Sequence, residues 1–317
     1  MSTPQGIPSV DLADFLSGDQ DRINKFVAEL GNAYEEIGFV AVRNHQVSDE
    51  LIDRMYDMNK KFFELPEEVK KAYEIPELAG QRGYTSFGKE HAKGMTEGDL
   101  KEFWHFGQFV EDDEKRKAEY PDNLDVKELP GYLATGKETY QTLENTGKHM
   151  LRAIALYLGL EKNYFDQFVH NGNSILRPIH YPPVKTLETK AVRAGEHEDI
   201  NLITLLVGAS ADGLQVLNKQ GEWKNVTAIE NHIVVNVGDM LQRLTNNKLR
   251  STTHRVINPP EAKMGTSRYS VPFFLHPISE MPLNCLPETI DEAHPKKYDD
   301  ITAGEYLTER LIEIGLK

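Results

Sequence analysis

Residues 195–206 read Gly-Glu-His-Glu-Asp-Ile-Asn-Leu-Ile-Thr-Leu-Leu, so a polar stretch runs directly into an apolar one. The apolar part is short and rich in Ile, Leu and Thr, which is typical of a buried strand. In the polar part, His197 and Asp199 stand two residues apart. Alternate side chains of an extended chain point to the same side, so these two can meet at one point while Glu198 faces away.

The remainder of the chain predicts a β-rich core behind a helical front. After about residue 174, short apolar segments alternate with Gly, Asn and Pro turns, a pattern that indicates a sandwich or barrel. Strands are expected at residues 200–207, 214–217, 233–237, 252–257 and 269–275. Before residue 172, apolar residues recur at helical spacing. Helices are expected at residues 23–34, 49–62 with Asp49 as the N-cap, 67–73, 140–158 and 303–316, with surface loops over 75–127.

Composition limits the classes of function. The 317 residues include 36 Lys and Arg against 50 Asp and Glu, and the net charge of −14 argues against nucleic acid as a partner. No apolar run approaches the roughly 20 residues that span a bilayer, and residues 1–15 do not read as a secretory signal. Cys285 is the only cysteine, which excludes a disulfide framework and a thiolate cluster. We therefore expect a cytoplasmic protein with neither a membrane nor a nucleic-acid partner.

The pair His197 and Asp199 points to metal chemistry. A histidine and a carboxylate that converge are two of the three ligands of the facial triad, which binds non-haem iron(II) and leaves positions open for substrate and oxygen. His254 is the candidate for the third ligand, since it lies in a β-prone segment two strands further on. The alternative for His254 is a structural residue fixed by hydrogen bonds.

A second pair with the same spacing, Arg268 and Ser270, follows His254. An inward-facing arginine needs an anion, and its planar fork matches a carboxylate in bidentate fashion. Ser270 can add a hydrogen bond to the same carboxylate. Alone, Arg268 would be interpreted as part of an internal salt bridge, but beside candidate metal ligands the pair indicates a bound carboxylate.

Together these segments resemble the isopenicillin N synthase-like family of iron(II)- and 2-oxoglutarate-dependent oxygenases. The segments that carry the resemblance are residues 7–12, 38–45, 195–206, 213–216, 221–223, 234–239, Gln242, 245–246, Ser251, 254–256 and 268–270. The resemblance implies a mainly β core, a distorted double-stranded β-helix or jelly roll, flanked by helices from an N-terminal helical region. It also implies four parts: an N-terminal non-haem dioxygenase region at 1–125, a connecting helix at 126–171, the iron(II)/2-oxoglutarate dioxygenase core at 172–280, and a C-terminal tail and helix at 281–317.

The same resemblance implies roles for individual residues. His197, Asp199 and His254 would be the catalytic iron(II) ligands, and Arg268 with Ser270 would hold the far carboxylate of 2-oxoglutarate. Tyr181 would help to bind this co-substrate, and its alternative role is to fix a Pro-rich turn. Two residues earlier, Ile179 stands where plant-type members carry Asn. The implied reaction uses dioxygen to oxidise a small organic substrate, usually by hydroxylation, and releases succinate and carbon dioxide.

Two other functions remain compatible with these residues. The first is an iron oxidase of the same fold that does not use 2-oxoglutarate, in which Arg268 and Ser270 bind a substrate carboxylate. The second is a β-sandwich binding protein with an incidental metal site. Neither the substrate nor the oligomeric state can be read from the sequence. Candidates for the substrate pocket are Tyr84, Phe87, His105 and Phe274, whereas structural roles are expected for His180, His232, His276 and Asp239.

Overall fold

Two β-sheets form the centre of the protein in the computed structural model, which describes residues 7–78, 80–89, 99–183, 192–207, 213–226, 231–258 and 265–313. The strands are β1 (Ser9–Asp11), β2 (Phe39–Arg43), β3 (Gly83–Thr85), β4 (Glu102–Gly107), β5 (Ile175–Leu176), β6 (Ile179–Tyr181), β7 (Ala194–His197), β8 (Ile203–Val207), β9 (Leu214–Leu217), β10 (Trp223–Asn225), β11 (His232–Val237), β12 (His254–Val256) and β13 (Arg268–Leu275). The helices are α1 (Leu12–Phe15), α2 (Gln20–Glu36), α3 (Asp49–Phe63), α4 (Glu67–Lys71), α5 (Glu114–Glu119), α6 (Tyr132–Tyr157), α7 (Asp166–Val169), α8 (Asp239–Leu244) and α9 (Ala303–Glu313). None of the helices in these ranges combines the length and the apolar character needed to cross a bilayer.

The larger sheet has the strand order β1-β2-β11-β8-β13-β5-β4-β3, and β6 pairs with both β13 and β4. The smaller sheet has the order β10-β9-β12-β7. Phe39 and Val234 of the larger sheet pack in one buried cluster with Leu214, Val216 and Val256 of the smaller sheet, so the two sheets face each other. This arrangement confirms the predicted jelly roll.

Helix α6 covers the larger sheet from outside. Its apolar stripe is continuous from Tyr140 to Ile154, as the helical spacing predicts. At Gly147 the helix comes so close to the sheet that a Cβ would lie 3.3 Å from side-chain atoms of both Leu205 and Leu275. A Cβ at this position would require the two leucine side chains to shift by a few tenths of an ångström.

The expectation of surface loops over residues 75–127 is wrong. Within this range the described residues form β3, β4 and α5, and all six residues of β4 are buried. Strand β4 reads Glu-Phe-Trp-His-Phe-Gly, so neither apolar alternation nor a continuous apolar run marks it as a strand. Ser48 rather than Asp49 caps α3, because the Ser48 hydroxyl accepts a hydrogen bond from the backbone N–H of Leu51.

Glu102 on β4 connects the helical front to the core through a buried polar network. Its carboxylate accepts hydrogen bonds from Lys70 Nζ at 2.7 Å, from the Tyr84 hydroxyl, and from His180 Nδ1 at 2.7 Å. Burial raises the pKa of Glu102, but the hydrogen bonds from His180, Lys70 and Tyr84 outweigh it and leave the pKa below its ordinary value. His180 thus has the structural role expected from the sequence.

We expect Glu102→Gln to lower the free energy of unfolding by about 3 kcal/mol, because removing one partner of a buried ion pair leaves the Lys70 charge uncompensated. Glu138→Gln is the matched control. Its ion pair with Arg54 is exposed, at 57% and 47% of the two side chains, and should contribute less than about 1 kcal/mol. Chemical denaturation of the three proteins measures both effects.

The same comparison has a defined pH dependence. The pKa of Glu102 is lowered in the folded protein, so its stabilising contribution is present above the ordinary glutamate pKa of 4.5 and is lost as the pH falls through the folded value. The difference in the free energy of unfolding between wild type and Glu102→Gln should therefore become smaller at acidic pH. A difference that is constant from neutral to acidic pH would contradict an ionised Glu102.

Candidate active site

His197 and His254 are brought together by the pairing of β7 with β12, in which they are directly opposite each other. Their ring centroids are 4.3 Å apart. Asp199 follows β7, and its Oδ1 lies 3.9 Å from His197 Nε2 and 3.8 Å from His254 Nε2. One potential ligand atom from each of the three residues lies within 4.8 Å of the others. The predicted convergence of these residues is therefore present.

Hydrogen bonds orient each of these three side chains. His197 Nδ1 lies 2.7 Å from the carbonyl oxygen of Gly195, and His254 Nδ1 lies 3.0 Å from that of Thr252. A carbonyl oxygen only accepts, so both Nδ1 atoms carry the proton and both Nε2 atoms are free to bind a metal.

The Asp199 carboxylate is fixed from its other side. Its Oδ2 accepts hydrogen bonds from the Thr204 hydroxyl at 2.7 Å and from the Asn236 amide at 2.8 Å. Its Oδ1 is thereby turned towards the two histidines. Thr204 lies on β8 and Asn236 lies on β11. The larger sheet therefore positions Asp199, which follows a strand of the smaller sheet.

The protonation states fit a metal site. The His197 side chain is 40% exposed because it faces a cavity. Burial by the protein on its other sides, together with the nearby His254, lowers the pKa of His197 to about 4. Burial raises the pKa of Asp199, but His254, His197 and the hydrogen bonds from Asn236 and Thr204 outweigh it and lower the net value. Two imidazoles and one carboxylate are the donor set of a 2-His-1-carboxylate iron(II) site.

Arg268, Ser270 and Tyr181 also come together, because β13 pairs with β6 and places Arg268 opposite Tyr181. The Arg268 guanidinium lies 4.9 Å from the centre of the Tyr181 ring, and both residues are buried. Its Nε and Nη1 are buried without a hydrogen-bond partner in the described part of the chain. The internal salt bridge that was the alternative for Arg268 is thus absent from the described residues.

A cavity of about 820 Å³ reaches His197 and Asp199. Tyr84, His105 and Phe274 line it as expected, whereas Phe87 is 50% exposed and does not. The other lining side chains come from the front, the core and helix α9, and include Asp99, Lys101, Phe103, Arg177, Asp239, His276, Leu307, Arg310 and Leu311.

Asp239 and His276 were expected to be structural, and they are absent from the ligand group, but both line the cavity. Burial lowers the pKa of His276 to about 4, and its Nδ1 has no partner among the described residues. Burial and the nearby Glu198 raise the pKa of Asp239 to about 7. No local pattern in the sequence indicated that these residues face the cavity.

Comparisons with known proteins give one consistent result. Residues 7–128 match the model of the non-haem dioxygenase N-terminal family named for morphine synthesis, and residues 172–277 match the 2OG-Fe(II) oxygenase superfamily. The 2-oxoglutarate-Fe(II) type oxidoreductase ppzD of Metarhizium majus is 32% identical, with 96% of this chain and 94% of the relative covered.

The solved structures of two similar proteins match this structure over 98% of the chain. A 2OG-Fe(II) oxygenase family protein from Caulobacter crescentus has a TM-score of 0.89 and 40% identity, covering 98% of this chain and 99% of that one. A full-length Neurospora crassa protein in complex with alpha-KG and thymine has a TM-score of 0.84 and 32% identity, covering 98% of each chain.

Proposed function

Because the chain belongs to the 2OG-Fe(II) oxygenase superfamily and oxidises its substrate with iron(II), 2-oxoglutarate and dioxygen, we propose that His197, Asp199 and His254 are its iron ligands. The observation that supports this most strongly is that three potential ligand atoms, on side chains oriented by hydrogen bonds, lie within 4.8 Å of one another. When bound, iron(II) with 2-oxoglutarate supplies the oxidising chemistry, and succinate and carbon dioxide are the co-products.

We propose that Arg268, Ser270 and Tyr181 hold 2-oxoglutarate. Arg268 offers buried N–H groups that have no acceptor among the described residues, as a carboxylate site requires. Ser270 is buried two residues further along the same strand, and Tyr181 lies opposite Arg268 on β6. The chemical roles of these residues are to bind and orient, so their loss should affect co-substrate affinity before it affects the metal.

The substrate, in this proposal, is a small organic molecule that enters the cavity beside His197 and is hydroxylated. A volume of about 820 Å³ suits a small ligand. Aromatic and apolar side chains such as Phe103 and Phe274 can exclude water from the reacting atoms. An oxidase without 2-oxoglutarate is not favoured, since related proteins carry 2-oxoglutarate in their names or in their solved complexes.

We further propose a division at residues 125, 171 and 280, which assigns all three iron ligands to the 172–280 core. The proposed location is the cytoplasm, where a single buried cysteine, Cys285, stays reduced. With a net charge of −14, we expect no nucleic-acid partner.

Replacing His197, Asp199 or His254 by Ala is expected to abolish turnover and to lower iron(II) affinity at least about tenfold, because each removes one of three ligands. His232→Ala is the control, since His232 pairs with Ser9 at the surface. Iron content after anaerobic reconstitution measures the effect. Full iron occupancy in His254→Ala would refute its assignment.

Arg268→Met should keep its iron and lose 2-oxoglutarate affinity by about a hundredfold, because only the far carboxylate loses its partner. Arg255→Met is the matched control, since Arg255 lies on β12 with its guanidinium over the Trp223 ring and bonded to Glu196. Calorimetric titration of 2-oxoglutarate into the iron(II) proteins compares them. An unchanged affinity would make Arg268 structural.

The use of 2-oxoglutarate itself has a direct test. A 2-oxo acid bound to iron(II) absorbs visible light, whereas a carboxylate held by Arg268 alone does not. Anaerobic addition of 2-oxoglutarate to the iron(II) protein is therefore expected to produce colour. Admitting oxygen should remove the colour and release succinate. If neither colour nor succinate appears with any of a panel of small molecules, the jelly-roll oxidase with a substrate carboxylate at Arg268 becomes the better interpretation.

A further inference from the structure

A second buried arginine, Arg193, lies beside the proposed 2-oxoglutarate site. It stands directly before β7, the strand that ends at His197. Arg193 is 3% exposed and Arg268 is 6% exposed. Their guanidinium carbons lie 5.9 and 4.9 Å from the centre of the same ring, that of Tyr181. Two buried cations therefore share one aromatic neighbour.

The described residues leave both guanidinium groups without an anion. Arg193 Nη2 donates to the carbonyl oxygen of Thr266 at 3.2 Å, and its Nε has no hydrogen-bond partner among the described residues. Arg268 Nε and Nη1 likewise have none there. Within the same described ranges, no carboxylate forms an ion pair with either arginine. Three buried guanidinium nitrogens close to the Tyr181 ring thus have no acceptor among the described residues.

The electrostatics favour an anion at this position. Burial lowers the pKa of Arg193, and the positive charge of Arg268 lowers it further. Two like charges that are both removed from water destabilise the folded protein unless something negative lies between or beside them. The buried Arg82 donates to the carbonyl oxygens of Gln81 and Pro121, whereas two buried lysines pair with carboxylates: Lys70 contacts Glu102 and Lys101 contacts Asp99. A ligand carboxylate would form ion pairs with the two arginines, as Glu102 and Asp99 do with these lysines.

We propose that Arg193 and Arg268 together bind the far carboxylate of 2-oxoglutarate, so that Arg193 is a second cationic anchor for the co-substrate. A carboxylate has about four acceptor positions, enough for the fork of Arg268, the Ser270 hydroxyl and one N–H of Arg193. The inference rests on the proposed function. It predicts a strong preference for 2-oxo acids that end in a second carboxylate.

The test compares two ligands and two variants. The ligands are 2-oxoglutarate and 2-oxopentanoate, which has the same length but a methyl group in place of the far carboxylate. The variants are Arg193→Met and the control Arg255→Met, titrated anaerobically as iron(II) proteins. Arg193→Met should bind 2-oxoglutarate about tenfold to a hundredfold more weakly and bind 2-oxopentanoate as wild type does. Arg255→Met should match wild type with both ligands.

Three further measurements separate a binding role from a structural one. Iron(II) affinity of Arg193→Met should be unchanged. Arg193→Lys, which keeps the charge and is the fallback if the Met variant does not fold, should show a smaller loss that is again specific to 2-oxoglutarate. In Arg193→Met/Arg268→Met, the loss of affinity should differ from the product of the single losses, since both residues contact one carboxylate.

The possible failures are distinguishable. If wild type does not bind 2-oxoglutarate, the proposed function itself fails. If wild type binds it and Arg193→Met and Arg193→Lys bind it equally well, only the role of Arg193 is refuted. An equal loss for both 2-oxo acids would also refute that role, because it would show that Arg193 maintains the site as a whole.

Discussion

The site depends on one register: the antiparallel pairing that sets His254 opposite His197. A slip of one residue would turn one imidazole to the other side of the sheet and separate the donor atoms. Asp199 adds a second constraint, since Thr204 and Asn236 of the larger sheet hold its carboxylate and the backbone N–H of Asp239 donates to its carbonyl oxygen at 2.7 Å. The proposed metal donors therefore meet only when both sheets are in their final arrangement.

Two groups of buried charges in this fold differ in whether their donors and acceptors have hydrogen-bond partners among the described residues. Around Glu102 the carboxylate is matched by three donors, and the network joins the front to β6. Around Arg268 and Arg193 several donors have no partner among the described residues. The first kind of site stabilises the protein alone, and the second, in the function proposed above, pairs with the carboxylate of 2-oxoglutarate. Other buried atoms, such as the Tyr34 hydroxyl and Trp104 Nε1, also have no partner among the described residues, so it is the combination of such donors with two neighbouring positive charges that distinguishes Arg193 and Arg268.

The sequence predicts the parts of this structure whose pattern is local. Strand β9 matches its predicted bounds, and the convergence of His197 with Asp199 follows from spacing alone. Strand β4 could not be predicted, because Glu102 and His105 occupy buried positions that only distant partners make acceptable. Arg193 also carries no local signal, since Arg268 is distant in the chain and is brought close to it by the fold.

The two sides of the site have different origins in the chain. The proposed iron donors and the two arginines lie on or next to core strands β7, β12 and β13, whose side chains are fixed by backbone carbonyls and cross-strand pairs. Much of the cavity wall comes instead from β3, β4 and helix α9, outside the residues that orient the donors. A substitution at Leu307 or Leu311 can therefore change the shape available to a substrate while the hydrogen bonds that orient the proposed iron ligands persist. The residues proposed to bind iron and 2-oxoglutarate and the residues that form much of the cavity wall are therefore physically separate, because different elements supply each set of side chains.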